Sequence, residues 1–394
     1  MTKRARKVIF ILFFIGFFVT APAIVLYTAG YRYNFGTGHI VQTGVLSIIS
    51  TPKGGSISLD GERVRSSTPA LLKNILPGDH HVLVEKSGYI SWEKTLTVES
   101  RSTTFADDLV LFLKTEPVLI REMSPAATSI NPTSGRIAYA QTEGQWTEIW
   151  IHDPVTKEET LVSRLPIGSG THVALEWPYA SSILSIRTTI GAKTTIRYVD
   201  ADSGETVDAL SNEKFDLSVL ADRVAVSRRT GDTNVVLAYV ALGSYEFCAS
   251  PDDIVMLEDS ERKRVVLIRA EGGDQPILLN ANASFWEWEP NGKRLLYSDG
   301  YDLHVYDAAS HTDSTITRLS AAVTDVAWYP EHAIVLYAQD DAVYATELDH
   351  RGGRNTIRLV TGSGMNTLHV LQDTLYFFGR INETNGVYAR LLTQ

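Results

Sequence analysis

Trp288-Glu289-Pro290-Asn291-Gly292-Lys293-Arg294-Leu295-Leu296-Tyr297 reads as a polar corner followed by a short apolar strand. Pro fixes one backbone angle, and Asn-Gly tolerates the positive φ of a tight turn. The same design recurs along the chain. Trp177-Pro178 precedes Ser182-Ile183-Leu184-Ser185-Ile186, and Trp328-Tyr329-Pro330 precedes Ala333-Ile334-Val335-Leu336-Tyr337. Asn131-Pro132-Thr133-Ser134-Gly135-Arg136-Ile137-Ala138-Tyr139 is a copy without the Trp. Each copy then supplies a second strand running into a polar turn. Examples are Ile149-Trp150-Ile151-His152-Asp153, Ile196-Arg197-Tyr198-Val199-Asp200 and Leu303-His304-Val305-Tyr306-Asp307; Val343-Tyr344-Ala345-Thr346-Glu347-Leu348-Asp349 is looser. A last short strand follows, as in Thr160-Leu161-Val162 or Thr317-Arg318-Leu319.

A period of roughly 40 residues marks a propeller or solenoid. Short antiparallel strands without a helical period select the propeller, because a single blade cannot bury both its faces and a ring of blades can. Units are expected to start near residues 129, 171, 214, 249, 284, 322 and 365. The third and fourth are degenerate, so the count is about seven blades, with six to eight open. The corners resemble those of TolB-like and WD40-like propellers. The WD40 His and Trp-Asp signatures are absent, which makes the TolB-like resemblance the closer one.

Upstream, period-two patterning begins at Val45-Leu46-Ser47-Ile48-Ile49-Ser50. A Gly54-Gly55 turn, the alternating Ser56-Ile57-Ser58-Leu59 and an Asp60-Gly61 hairpin turn follow. His81-Val82-Leu83-Val84-Glu85 and Trp92 to Val98 alternate again. These segments predict a small antiparallel β-sandwich. Ser50-Thr51-Pro52, Ile57-x-Leu59-Asp60-Gly61, Thr68-Pro69, Leu76-Pro77-Gly78, Val84 and Lys86-Ser87-Gly88-Tyr89 follow the PEGA domain pattern in order. The name-giving tetrapeptide stands here as Pro52-Lys53-Gly54-Gly55. The resemblance implies a bacterial or archaeal surface module, a non-enzymatic addition to other domains with no catalytic residues to carry over.

At the N-terminus, Lys3, Arg4, Arg6 and Lys7 precede an uncharged run from Val8 to Leu26, long enough to span a bilayer core as a helix. Arg32 and then Lys53 are the next basic residues, so the charge asymmetry puts the N-terminus in the cytoplasm and the bulk of the chain outside. Tyr27, Tyr31, Tyr33 and Phe35 suit an aromatic belt at the outer interface, or packing against the next domain. Ala21-Pro22-Ala23 resembles a cleavage site, and cutting after Ala23 would release a secreted protein. The apolar run continues through Ile24, Val25 and Leu26, which favours retention in the plasma membrane. The expected organisation is a tail over 1–7, a transmembrane helix over 8–26, a spacer over 27–44, the sandwich over 45–114 and the propeller over 115–394. The fold class is therefore all-β with one N-terminal helix.

A net charge of -10 argues against nucleic-acid binding. The single cysteine, Cys248, makes no internal disulfide and is read as a small buried side chain. Asp200-Ala201-Asp202-Ser203-Gly204 starts like a calcium loop, but Ser211 stands where the twelfth-position Glu is needed. Asp153 and Asp307 occupy the same turn in other copies, so the aspartates are read as turn caps. His80-His81 beside Asp79 is read as a strand pair, not a metal site. Gly168-Ser169-Gly170 and Gly362-Ser363-Gly364 are read as loops between blades, Arg228-Arg229 and Glu261-Arg262-Lys263-Arg264 as hairpin tips, and the corner Trp residues as core. No catalytic, cofactor-binding or metal residue is assigned from the sequence. The expected function is a non-enzymatic, membrane-anchored envelope protein whose propeller binds an envelope protein, a peptide or a cell-wall glycan. A propeller hydrolase or lyase would instead show paired carboxylates and a His at a channel mouth. A purely structural spacer is the third reading.

Overall fold

In the computed structural model, residues 3–394 are described, apart from 37, 132, 167–170, 178–181, 192, 208–213, 232, 249 and 260. Two compact units divide the chain. The first is Met1–Lys114 with Asp349–Asn355 and Thr393–Gln394; the second is Thr115–Leu348 with Thr356–Leu392.

The first unit opens with a helix over Lys3–Thr28. Its Ile9–Thr28 portion is long and apolar enough to cross a membrane, and none of it is buried against protein. Ala21-Pro22-Ala23 lies inside this helix. Where the sequence suggested a spacer, Tyr31–Asn34 and His39–Gln42 pair as a hairpin.

Two sheets form the sandwich that follows. One joins Ala70–Ile75, Gly44–Thr51 and Thr103–Val110; the other joins Glu62–Ser67, Ser56–Leu59, Gly78–Glu85 and Trp92–Val98. Leu46, Ile48, Ile57, Val82, Val84, Trp92, Leu96 and Leu111 fill the space between them. The sandwich is not wholly antiparallel, as the sequence suggested. Gly44–Thr51 and Thr103–Val110 run parallel, because the first and last strands meet only after the chain has crossed through the second sheet. Trp92–Val98 alternates strictly, which puts Lys94 on the inward face with Trp92, Leu96 and Val98. Lys94 Nζ donates to the Asp349 carbonyl at 2.9 Å and lies 3.3 Å from its carboxylate. Burial alone would raise the Asp349 carboxyl; hydrogen bonds from Arg351 and the charge of Lys94 bring it down to about 2. His80 bonds to Asp60 and to the Leu76 carbonyl, while His81 faces Glu93, so the two rings serve separate local contacts.

The second unit is a β-propeller of seven consecutive sheets. Their inner strands are Ala127–Ile130, Thr171–Glu176, Phe215–Val219, Tyr245–Cys248, Phe285–Trp288, Val323–Tyr329 and Ser363–Leu371, which we number as blades 1 to 7. Blade 3 has three described strands; the others have four. Blade 7 takes its outermost strand from the start of the unit: Val118–Glu122 pairs antiparallel with Thr384–Leu391. The first strand of the unit is thus hydrogen-bonded to the last, which closes the ring through the backbone. Arg121 on the closing strand pairs with Glu159 of blade 1, whose carboxylate also accepts the Tyr139 hydroxyl at 3.0 Å.

The polar turns follow the chemistry read from the sequence. Asp153, Asp200 and Asp307 each accept two backbone N–H groups two and three residues on, and Asn131 does the same. These bonds hold the Asp200 and Asp307 carboxyls below their ordinary range. Glu261-Arg262-Lys263 forms a turn, but Arg264 opens the next strand, and Arg228 and Arg229 lie within the strand Arg223–Thr230 and not at a tip, Arg228 donating to the Ala270 carbonyl and Arg229 facing Asp216. Gly362-Ser363-Gly364 passes between blades 6 and 7, whereas Gly168-Ser169-Gly170, Pro132, Pro178 and Ser211 lie outside the described residues.

Candidate functional site

The inner strands of the propeller carry charged side chains that no local turn explains. They form two groups.

The first group starts in blade 4. Glu246 and Glu258 are directly opposite each other on neighbouring strands, so both carboxylates share one face of the sheet. Like charges in that position repel. Cys248, two residues beyond Glu246, is on the same face, with its Sγ 3.7 Å from Glu258. Arg187, from the second strand of blade 2, donates to Glu246 at 2.7 Å, although blade 3 lies between the two in sequence. Glu176, the last residue of the blade 2 inner strand, completes the group. Glu176 is an exposed residue, and, two residues on from Ala174, it shares with Arg187 one face of the blade 2 sheet. Burial, then the repulsion of Glu258, pushes the Glu176 carboxyl up to about 7, against the pull of Arg187. Burial likewise raises Glu258, opposed by Arg187 and by hydrogen bonds from Cys248 and Trp286. Cys248 is half-buried, not the buried side chain read from the sequence; burial and then Glu258 push its thiol well up, which keeps it protonated at neutral pH.

The second group joins blades 5, 6 and 7. Glu287 accepts the backbone N–H of Trp328 at 2.6 Å. Asp325 accepts the N–H of Leu368 at 2.7 Å and that of Val326 at 2.8 Å. Each carboxylate therefore ties its own inner strand to the next one. His369 is buried with Nδ1 3.7 Å from Glu287, and its Nε2 has no hydrogen-bond partner among the described residues. Burial outweighs the two N–H donors at Asp325 and pushes it up to about 7.

The corner tryptophans add to this stitching. Trp328 Nε1 donates to the Glu287 carbonyl at 3.0 Å, and Trp177 Nε1 donates to the Ser129 carbonyl at 3.4 Å. Each is buried and spans two blades, so the corner Trp residues are core, as read from the sequence. Among the described residues, no group of three or more His, Cys, Asp or Glu is placed to hold a metal ion.

Glu176, Arg187, Glu246, Glu258, Glu287, Asp325 and His369 were not singled out by the sequence. One signal was present. Glu287 lies between Trp286 and Trp288, and Glu176 lies between Leu175 and Trp177. A carboxylate inside an apolar inner strand needs a partner or a ligand.

Residues 43–111 match the PEGA domain. No curated protein sequence matches the chain. Among solved structures, the chain is similar to one in "Crystal Structure of Mitotic Checkpoint Complex", at 12% identity, covering 71% of this chain and 93% of that one, with a TM-score of 0.48. It is similar to Kluyveromyces lactis Hsv2 at 10% identity, with 68% and 98% of the two chains covered and a TM-score of 0.39. It is also similar to an oligogalacturonate lyase in complex with manganese, at 10% identity, with 72% and 96% covered and a TM-score of 0.44. The PEGA domain match coincides with the sandwich. The propeller assignment rests on the sheet order and the ring closure described above.

Proposed function

We propose that this chain is a non-catalytic cell-envelope protein, held by its N-terminal helix, which uses the propeller's inner strands to bind a peptide, a glycan or another envelope protein. The basic residues before the helix favour a cytoplasmic N-terminus, and the surface character of PEGA domains fits an extracytoplasmic bulk. The observation that carries the binding role is the first carboxyl group. Glu246 bonds Arg187, Glu258 faces Glu246 across the sheet, and the exposed Glu176 shares a sheet face with Arg187. Such a surface favours cationic or hydroxyl-rich ligands, which can hydrogen-bond the carboxylates and relieve their repulsion.

The test is binding by the full chain in detergent against envelope extract, basic peptides and cell-wall glycan fragments. A partner retained by the natural protein should be lost from a Glu176→Gln, Glu246→Gln double variant. Unchanged binding by that variant would remove the inner strands from the reading. Failure to retain any envelope component, peptide or glycan would remove the binding role altogether.

A specific observation also favours an acid–base enzyme. Burial and then the charge of Glu258 hold Glu176 near neutrality, where a carboxyl can exchange a proton with a substrate. Glu287, Asp325 and His369 supply the expected residue types, but both carboxylates are occupied with backbone N–H groups. Polysaccharide or peptide cleavage by the natural protein, abolished by Glu176→Gln, would replace the binding reading with the catalytic one.

A further inference from the structure

The hairpin that follows the N-terminal helix has one face carrying Tyr31, Tyr33, Ile40 and Gln42, on which Tyr33 and Ile40 stay exposed among the described residues. Tyr33 and Ile40 are directly opposite in its register, so their side chains share a face. Phe35 packs edge-on against Tyr33, with ring centroids 5.0 Å apart. Phe35 is 91% exposed, Ile40 60% and Tyr33 51%. The opposite face carries Arg32, Asn34, His39 and Val41. An isolated two-stranded hairpin is marginal in water, and an uncovered aromatic face makes it more so.

The joint between helix and hairpin is closely tied. The last carbonyls of a helix have no partner within it, and leaving them unsatisfied near lipid is costly. Here Arg32 Nη1 donates to the Tyr27 carbonyl at 2.8 Å, with its guanidinium 3.7 Å from the Tyr27 ring centroid. Gln42 Nε2 donates to the Ala29 carbonyl at 3.1 Å. Thr43 donates to the Gly30 carbonyl through both its N–H and its hydroxyl, at 2.9 and 2.8 Å. Gly30 turns the chain at a φ of +82°, where a side chain would be strained. Arg32 Nη2 also reaches Asn74 of the sandwich at 2.9 Å. The helix therefore ends in a capped, fixed connection, and the hairpin strand begins at Tyr31, three residues past Thr28.

From these features we infer that the Tyr33–Phe35–Ile40 face lies in the headgroup region of the leaflet at which the helix ends. This rests on the proposal that the helix is retained in the membrane. A four-residue strand is about 13 Å long, and a headgroup layer is roughly 5–8 Å thick. The hairpin is long enough to lie along that layer with its aromatic face toward the acyl chains. Aromatic side chains favour this zone, while the Arg32 and Asn34 face stays toward water and the sandwich. The hairpin would then act as a second foot, fixing how the sandwich stands on the bilayer.

The test uses full-length protein in vesicles of phosphatidylcholine and phosphatidylglycerol. Nitroxide labels are placed at Phe35→Cys, at Ile40→Cys and, as a control on the sandwich, at Glu62→Cys, each in a Cys248→Ala background. Relaxation by oxygen and by a water-soluble nickel chelate reports depth. The labels at 35 and 40 should be several-fold more accessible to oxygen, relative to nickel, than the label at 62. Nickel accessibility at both sites equal to that at 62, in protein that floats with the vesicles, would overturn the hairpin inference and leave the anchor intact. Protein that does not float with vesicles at all would overturn both.

Discussion

Arg187 and Glu246 are 2.7 Å apart although they belong to blades 2 and 4, with blade 3 between them in sequence. The pair places one positive charge among Glu176, Glu246 and Glu258. Removing it should leave three carboxyls facing one another. Arg187→Ala should therefore destabilise the propeller by about 1–2 kcal/mol at pH 8, the lower end reflecting the partial exposure of both groups. Arg187→Ala, Glu246→Gln should recover part of the loss. Urea unfolding of the two variants and the natural protein checks this. Additive losses would show that the two side chains are not coupled.

Glu176 should make stability depend on pH. Its ordinary value is 4.5 and its folded value about 7. Because the folded state holds this proton more tightly, its contribution is full below pH 4.5 and is lost as pH rises through about 7. Asp325, moved from 3.8 to about 7, acts in the same direction. His152, lowered chiefly by burial, acts oppositely, since its protonation at low pH favours the unfolded chain. The difference between natural protein and Glu176→Gln cancels the other groups. Relative to the natural protein, Glu176→Gln should gain about 1 kcal/mol or less between pH 5 and pH 8, discounted for solvent contact. A pH-independent difference in melting temperature would rule this out.

Legibility followed locality. The corners at Trp288 and Trp328 and the turns at Asp153, Asp200 and Asp307 were readable, because each is built from residues a few positions apart. Blade 3 was weak in sequence, and it has only three described strands. The closing strand left no such trace: Val118 meets Ala389, a pairing set by ring closure. The parallel pairing of Val45 with Thr103 was hidden for the same reason. The carboxyl group was hardest to see. Glu176 and Glu246 are brought together only when the blades form a ring, so spacing along the chain carries no sign of it. The hairpin at Tyr31–Gln42 was missed because each strand has only four residues, too few to establish a period.

Trp328 should be among the costliest side chains to truncate. It is 2% exposed, packs in the blade 5–6 core, and sits under the Arg294 guanidinium at 4.8 Å. Trp328→Ala should cost roughly 3–5 kcal/mol through lost burial and a cavity. Trp328→Phe keeps much of the burial but leaves the Glu287 carbonyl without its indole donor, which should cost about 1–2 kcal/mol. Denaturant midpoints at constant slope are the measurement. A Phe variant as unstable as the Ala variant would assign most of the effect to the hydrogen bond.

Gly386 gives the sharpest test of ring closure. It lies opposite Glu122 on the closing strand, and a Cβ there would run into the Arg121 carbonyl and the Leu119 side chain. The carbonyl belongs to the paired backbone, so it cannot move aside as a flexible side chain could. Gly386→Val should push Val118–Glu122 away from blade 7, break its ladder with Thr384–Leu391, and separate Arg121 from Glu159. The expected loss is at least about 2 kcal/mol. Amide exchange should rise first at residues 118–122 and along the facing strand of blade 7, before the inner blades are affected. Protection at those amides equal to that of the natural protein, in a folded Gly386→Val variant, would mean that the backbone pairing does not hold the ring closed.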